Sequence, residues 1–182
     1  MATTLTFIYP LQAVSGSTYT VGLYELINQR TLYFSDMINK QNNDIAELVP
    51  LTLGDFDFIK QNVFNGATEI FTRIGAYSRL LDDDVEAYEE SYEFTTTGEA
   101  VEADAVVYRV VLKSEQKQKL IEMPVMRVIE AALIRYVVAE WLKLKNVDPQ
   151  WKMEMSEFVE KVNSAISYLA IGDRTKIPVR NF

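Results

Sequence analysis

A chain of 182 residues is the usual length of one domain, and a globule of this size buries on the order of 70% of its unfolded surface. It has neither Cys nor His, which excludes disulfides, thiol catalysis, imidazole general bases and metals held by thiolate or imidazole. The formal charge of -8 argues against specific or broad nucleic-acid binding, which needs clustered cations, and the seven glycines form no phosphate-cradling loop.

The first residues lack the basic segment and unbroken apolar core of a secretory signal, so the chain is expected to act in a cytoplasm-like compartment or an assembly built there. Residues 1–18 hold a β-like run, Leu5 to Tyr9, closed by Pro10 and followed by Ser15-Gly16-Ser17; this is an arm or an edge strand. Residues 19–81 read as helices. The first, from about Thr20 to Lys40, has Leu23, Leu26, Ile27, Tyr33, Phe34, Met37 and Ile38 at helical spacing, with Thr18 or Thr20 as cap. The second, from about Asp55 to Leu81, opens on a Thr52/Asp55 capping pair. Gly66 and Gly75 inside it mark a close helix crossing or a local break.

Residues 82–113 change period and read as an inserted acidic β-hairpin with a long tip, its strands at Tyr92 to Thr95 and Val106 to Leu112. Residues 120–171 return to helix. Met123 to Asn146 is the organising element: Val125, Val128, Ile129, Ala132, Leu133, Tyr136, Val137, Trp141 and Leu144 gather into one apolar stripe, and Arg135 and Glu140 make it a poor membrane span. Pro124 suits its first turn and Asn146 its exit. Asp148 and Pro149 start a last helix striped by Met155, Phe158, Val162, Ala165, Ile166 and Leu169 and ended by Gly172. Residues 172–182 form an extended C-terminal arm. The expected fold is mainly α, a single domain (1–182) built as a helical bundle of about four helices with an inserted β-hairpin.

Charge is segregated. Ten carboxylates and no Lys or Arg lie between Asp82 and Asp104, which exceeds the whole net charge, so the remainder is slightly positive. The block reads either as a solvated surface that repels wrong partners or as a surface for a basic partner, with Glu89, Glu90 and Glu93 as its centre. Its spacing supplies no calcium loop and pairs no carboxylates for acid–base work, so no metal, cofactor or catalytic residue is assigned. The arm alternates Arg174, Lys176 and Arg180 with Ile177, Val179 and Phe182, which describes either a frayed terminus or a strand that docks on a partner.

A long helix, a hairpin, a helix carrying Pro124, Ile129, Ala132, Leu133, Tyr136 and Ala139, another helix and an extended tail resemble the head-tail connector (adaptor) proteins of tailed bacteriophages over residues 51–182. That resemblance implies a non-enzymatic virion structural protein, assembled in the host cytoplasm. It would form a homo-oligomeric ring under the portal and bind the portal protein and tail or neighbouring connector proteins, without a membrane. The alternatives are an acidic adaptor or inhibitor of a basic protein and, further off, a carboxylate metal enzyme.

Overall fold

Leu5, Phe7 and Tyr9 alternate with Thr4, Thr6 and Ile8, a period that buries one face of a strand. In the computed structural model, which describes residues 2–41, 47–80, 83–113 and 115–171, this run is strand β1 (Thr3–Pro10), with its three large side chains in the core. It pairs antiparallel with β3 (Ala100–Leu112), whose other side pairs antiparallel with β2 (Asp84–Thr95). The sheet order is β1-β3-β2.

The expected helical bundle with only a hairpin is therefore corrected: the described chain is a mixed α/β fold of four helices and a three-stranded antiparallel sheet. The reason lies in β3. Val106, Val107, Tyr108, Val110 and Leu112 are all buried, on both faces, which is the pattern of a central strand rather than of one arm of an isolated hairpin. β1 has the matching alternation and pairs from Thr3 with Leu112 to Pro10 with Ala105 without a bulge, so the N-terminal segment is an edge strand rather than an arm. The hairpin also differs from expectation, because both strands are long and the tip is short. Thr96 N–H and its hydroxyl both donate to Glu99 O, at 3.0 and 2.8 Å, and Gly98 takes a φ of 114° that suits glycine.

Helix α1 (Leu23–Gln41) starts later than expected. Glu25 Oε2 accepts the Gly22 N–H at 2.8 Å, so this pair, and not Thr18 or Thr20, closes the first turn. Its inward face carries Leu23, Ile27, Phe34 and Ile38, while Tyr33, expected on the stripe, is 60% exposed. Polar residues at helical spacing hold the backbone at Leu48 and Leu51. Asn28 and Thr31 bond the backbone of Leu51, Ser35 donates to Leu48 O at 2.7 Å, and Asn39 both accepts from and donates to Leu48.

Helix α2 (Phe56–Ser78) follows a short 3-10 turn, Leu53–Asp55. The Asp55 carboxylate accepts from Thr52 N–H at 2.8 Å, as its spacing predicts. The helix passes through both glycines unbroken. Gly66 lies under Tyr136, where an added Cβ would meet the ring at 3.0 Å, whereas nothing lies within 4 Å of such an atom at Gly75. The helix crossing is at Gly66.

Helix α3 (Glu115–Leu144) contains Pro124 in its interior instead of its first turn. Ile121 is 1% exposed and extends the apolar stripe a full turn upstream of Val125, so packing outweighs the hydrogen bond that proline removes. Ile129, Leu133, Val137 and Trp141 are buried as the spacing requires, but Leu144 is 66% exposed at the helix end. Asn146 at φ 55° and Val147 N–H to Leu142 O at 3.0 Å close that end. Helix α4 (Gln150–Ala170) is capped at Pro149 rather than Asp148. It buries Phe158, Val162, Ala165 and Leu169, and with them Glu154. Leu81, Asp82 and Gly172 lie outside the described residues.

Helices α2 and α3 lie against one face of the sheet, α4 packs on both, and α1 packs on α3. Three tyrosines fasten the sheet to helix backbone: Tyr108 hydroxyl donates to Ala67 O at 2.7 Å, Tyr88 to Phe64 O at 3.3 Å and Tyr9 to Met126 O at 3.0 Å. Burial pushes all three phenols up, Tyr88 to about 12, which keeps them neutral donors. On the opposite face, Val14, Phe94, Ala105 and Val107 form a second small cluster, with Tyr19 edge-on to Phe94 at 5.2 Å.

Candidate functional site

Glu89, Glu90 and Glu93 do not behave alike. Glu89 lies diagonally across the ladder from Arg109, which donates Nη2–H to Oε2 at 3.0 Å and Nη1–H to Oε1. That hydrogen bonding holds the Glu89 carboxyl below its usual range and the Arg109 guanidinium above its own. Asp104 is likewise paired with Lys60 at 2.7 Å, and buried Asp83 accepts the Lys113 N–H at 3.1 Å. The acidic block is therefore partly neutralised by the chain itself, which its sequence position did not reveal because both cations come from outside it. Glu90 and Glu93, with Asp84, Glu86 and Glu99, are exposed and form no ion pair among the described residues.

Backbone geometry reinforces the contrast between the two sheet edges. On β2 the register slips between Val85 and Ala87, where Glu86 is an extra residue, and again between Glu89 and Ser91, where the extra residue falls on β3 opposite Glu90. An edge that is both acidic and bulged resists addition of a further strand. The β1 edge has no charged side chain and no bulge, and among the described residues no backbone hydrogen bond joins Thr3–Pro10 to anything beyond β3.

Beside this uncharged edge, α1 and α3 line a groove. Its first part, a cavity of about 130 Å³, has Ile8 and Tyr9 on one side and Val21, Leu26, Met126 and Glu130 on the others. A second cavity of about 360 Å³, which shares Leu26 with the first, is lined by Gln29, Arg30, Ala131, Ile134 and Arg135. Burial pushes the Glu130 carboxyl up, against a weaker downward pull from Arg127, and Glu130 makes no ion pair among the described residues.

Arg30 and Arg135 are committed elsewhere. Arg30 Nε–H and Nη2–H reach Glu154 at 2.8 and 2.5 Å, Arg135 Nη1–H reaches the same carboxylate at 2.6 Å, and Arg135 Nη2 lies 2.7 Å from Glu157. Two guanidiniums and two carboxylates cancel, so the cluster ties α1, α3 and α4 together and leaves little charge for a ligand. Glu154 is fully buried; burial raises its carboxyl and the Arg30 hydrogen bond opposes the rise. The sequence signal was present: Glu154 falls on the stripe that continues through Phe158 and Val162, and Arg135 interrupts the apolar run of α3.

The arm residues Arg174, Lys176, Ile177, Val179, Arg180 and Phe182 lie outside the described residues. Among the described residues no group of three or more acidic side chains is placed to hold a metal ion, and no helix is long and apolar enough to cross a membrane. The chain matches no family model, no curated protein and no solved structure.

Proposed function

We propose that the chain is a non-enzymatic structural protein of a tailed bacteriophage virion, a head-tail connector or adaptor that assembles as a ring under the portal and joins it to the tail. The observation that carries this reading is the unlikeness of the two sheet edges, acidic and bulged on β2, uncharged and open on β1. Unlike surfaces on opposite sides suit heterologous side-by-side contact, which closes into a ring when the rotation between copies is right. The element order of α2, hairpin, α3 and α4 supports the same class. Exposed Glu86, Glu90 and Glu93 then steer a basic surface of the portal or of a neighbouring connector.

Native mass measurement of the chain, alone and mixed with a portal protein, tests this. A closed multi-copy species, or one that forms on the portal, is the expected result. A chain that ignores the portal and forms a small stoichiometric complex with a basic protein favours the second reading, an acidic adaptor or inhibitor.

A further inference from the structure

We propose that the groove between α1 and α3 receives residues 174–182 of a second copy of this chain. The chemistry of the two matches at each point. The groove offers apolar walls at Val21, Leu26, Met126 and Ile134 and a half-buried carboxylate at Glu130, beside the free main-chain edge of β1. The segment offers Ile177 and Val179 for the walls and Arg174, Lys176 and Arg180 for the carboxylate. In a strand, side chains two apart share a face, so Ile177 and Val179 turn one way while Lys176 and Arg180 turn the other. An extended segment can thus meet wall and carboxylate at once while its backbone pairs with β1.

The acidic β2 edge is the rival seat for a basic segment, and its geometry disfavours it. Two bulges interrupt the register, and the residues on that edge supply charge but little apolar surface. Placing the segment on another copy rests on the assembly reading above. Residues 172–182 follow Ile171, and eleven residues drawn out span at most about 40 Å, enough to cross to an adjacent subunit of this size.

Two full-length variants test the exchange. Glu130→Lys reverses the charge of the groove, and the double change Ile177→Asp, Val179→Asp disables the segment; Val21→Lys, at a position 51% exposed, is a second groove variant should Glu130→Lys fail to fold. Expected is self-association of the parent, weakened at least tenfold in each variant alone, and a capped 1:1 complex when groove and segment variants are mixed, since the mixture holds one intact groove and one intact segment. Absence of that complex overturns the proposal, as does undiminished self-association of both groove variants. Self-association lost instead on Glu86→Gln, Glu90→Gln, Glu93→Gln moves the segment to the hairpin and also overturns it. The 1:1 complex does not need a closed ring, so failure of the ring reading is seen separately, as an open or portal-indifferent assembly of the parent.

Discussion

Gly66 and Gly75 stand in the same helix and should respond oppositely to the same change. Ala in place of Gly contributes about 1 kcal/mol through helix propensity. At Gly75 nothing opposes the new methyl group, so Gly75→Ala should raise stability by up to about 1 kcal/mol. At Gly66 the methyl meets the root of the Tyr136 ring at 3.0 to 3.2 Å, atoms that cannot swing away, and overpacking outweighs propensity for a net loss of about 1 kcal/mol. Urea melts of both variants read the two signs. Glu154→Gln should cost on the order of 3 kcal/mol in the same measurement, because it strips the compensating charge from Arg30 and Arg135 at a fully buried position. The Glu89–Arg109 pair supplies a pH dependence. The folded carboxyl is held below its unfolded value, so the pair stabilises fully above the ordinary Glu range, and its contribution disappears as pH falls through the depressed value. The stability gap between the parent and Glu89→Gln should therefore close on acidification. Since Glu89 is more than a third exposed, the gap is small at any pH.

At the scale of elements, α3 decides whether the molecule folds. It touches every other helix, β1 and β3, and Ile129 at its centre is 1% exposed. Ile129→Asp buries an unpaired carboxylate at a cost of several kcal/mol, comparable to a domain's whole stability of about 5 to 15 kcal/mol. Loss of cooperative unfolding by circular dichroism is the expected outcome, and a melting point within a few degrees of the parent would contradict the buried placement. The outer carboxylates of β2 should behave in the opposite way. Changing Glu86, Glu90 and Glu93 to Gln leaves folding unaltered, because exposed like charges contribute little, but slows capture of a basic partner and flattens the salt dependence of the association rate. Glu89 is best left out of that set, since its exchange also removes the Arg109 pair within the sheet.

For the whole molecule, the described core closes at α4, where Leu169 is 1% exposed and Ile171 is 41% exposed. Truncation after Asp173 should leave helical content and melting temperature within a few degrees of the full chain, while association between copies weakens. A truncated chain that fails to fold would place residues 174–182 in the protein's own core.

Period and punctuation were enough to read four helices and a hairpin from the sequence, because burying one face fixes the spacing of apolar side chains locally. They also marked Thr52 with Asp55, Asn146, and Ile129 for the roles these residues have. Pairing is another matter. Whether Leu5 to Tyr9 hangs free or completes a sheet depends on β3, about a hundred residues away, having an unpaired backbone edge, and no local pattern encodes that. The same holds for charge. A run of carboxylates is visible in the chain, but Arg109 and Lys60 reach two of them, and the backbone N–H of Lys113 a third, only after folding. Tertiary structure alone decided which acids remain exposed, which sheet edge stays open, and where two helices line a groove, since each depends on contacts between elements distant in sequence.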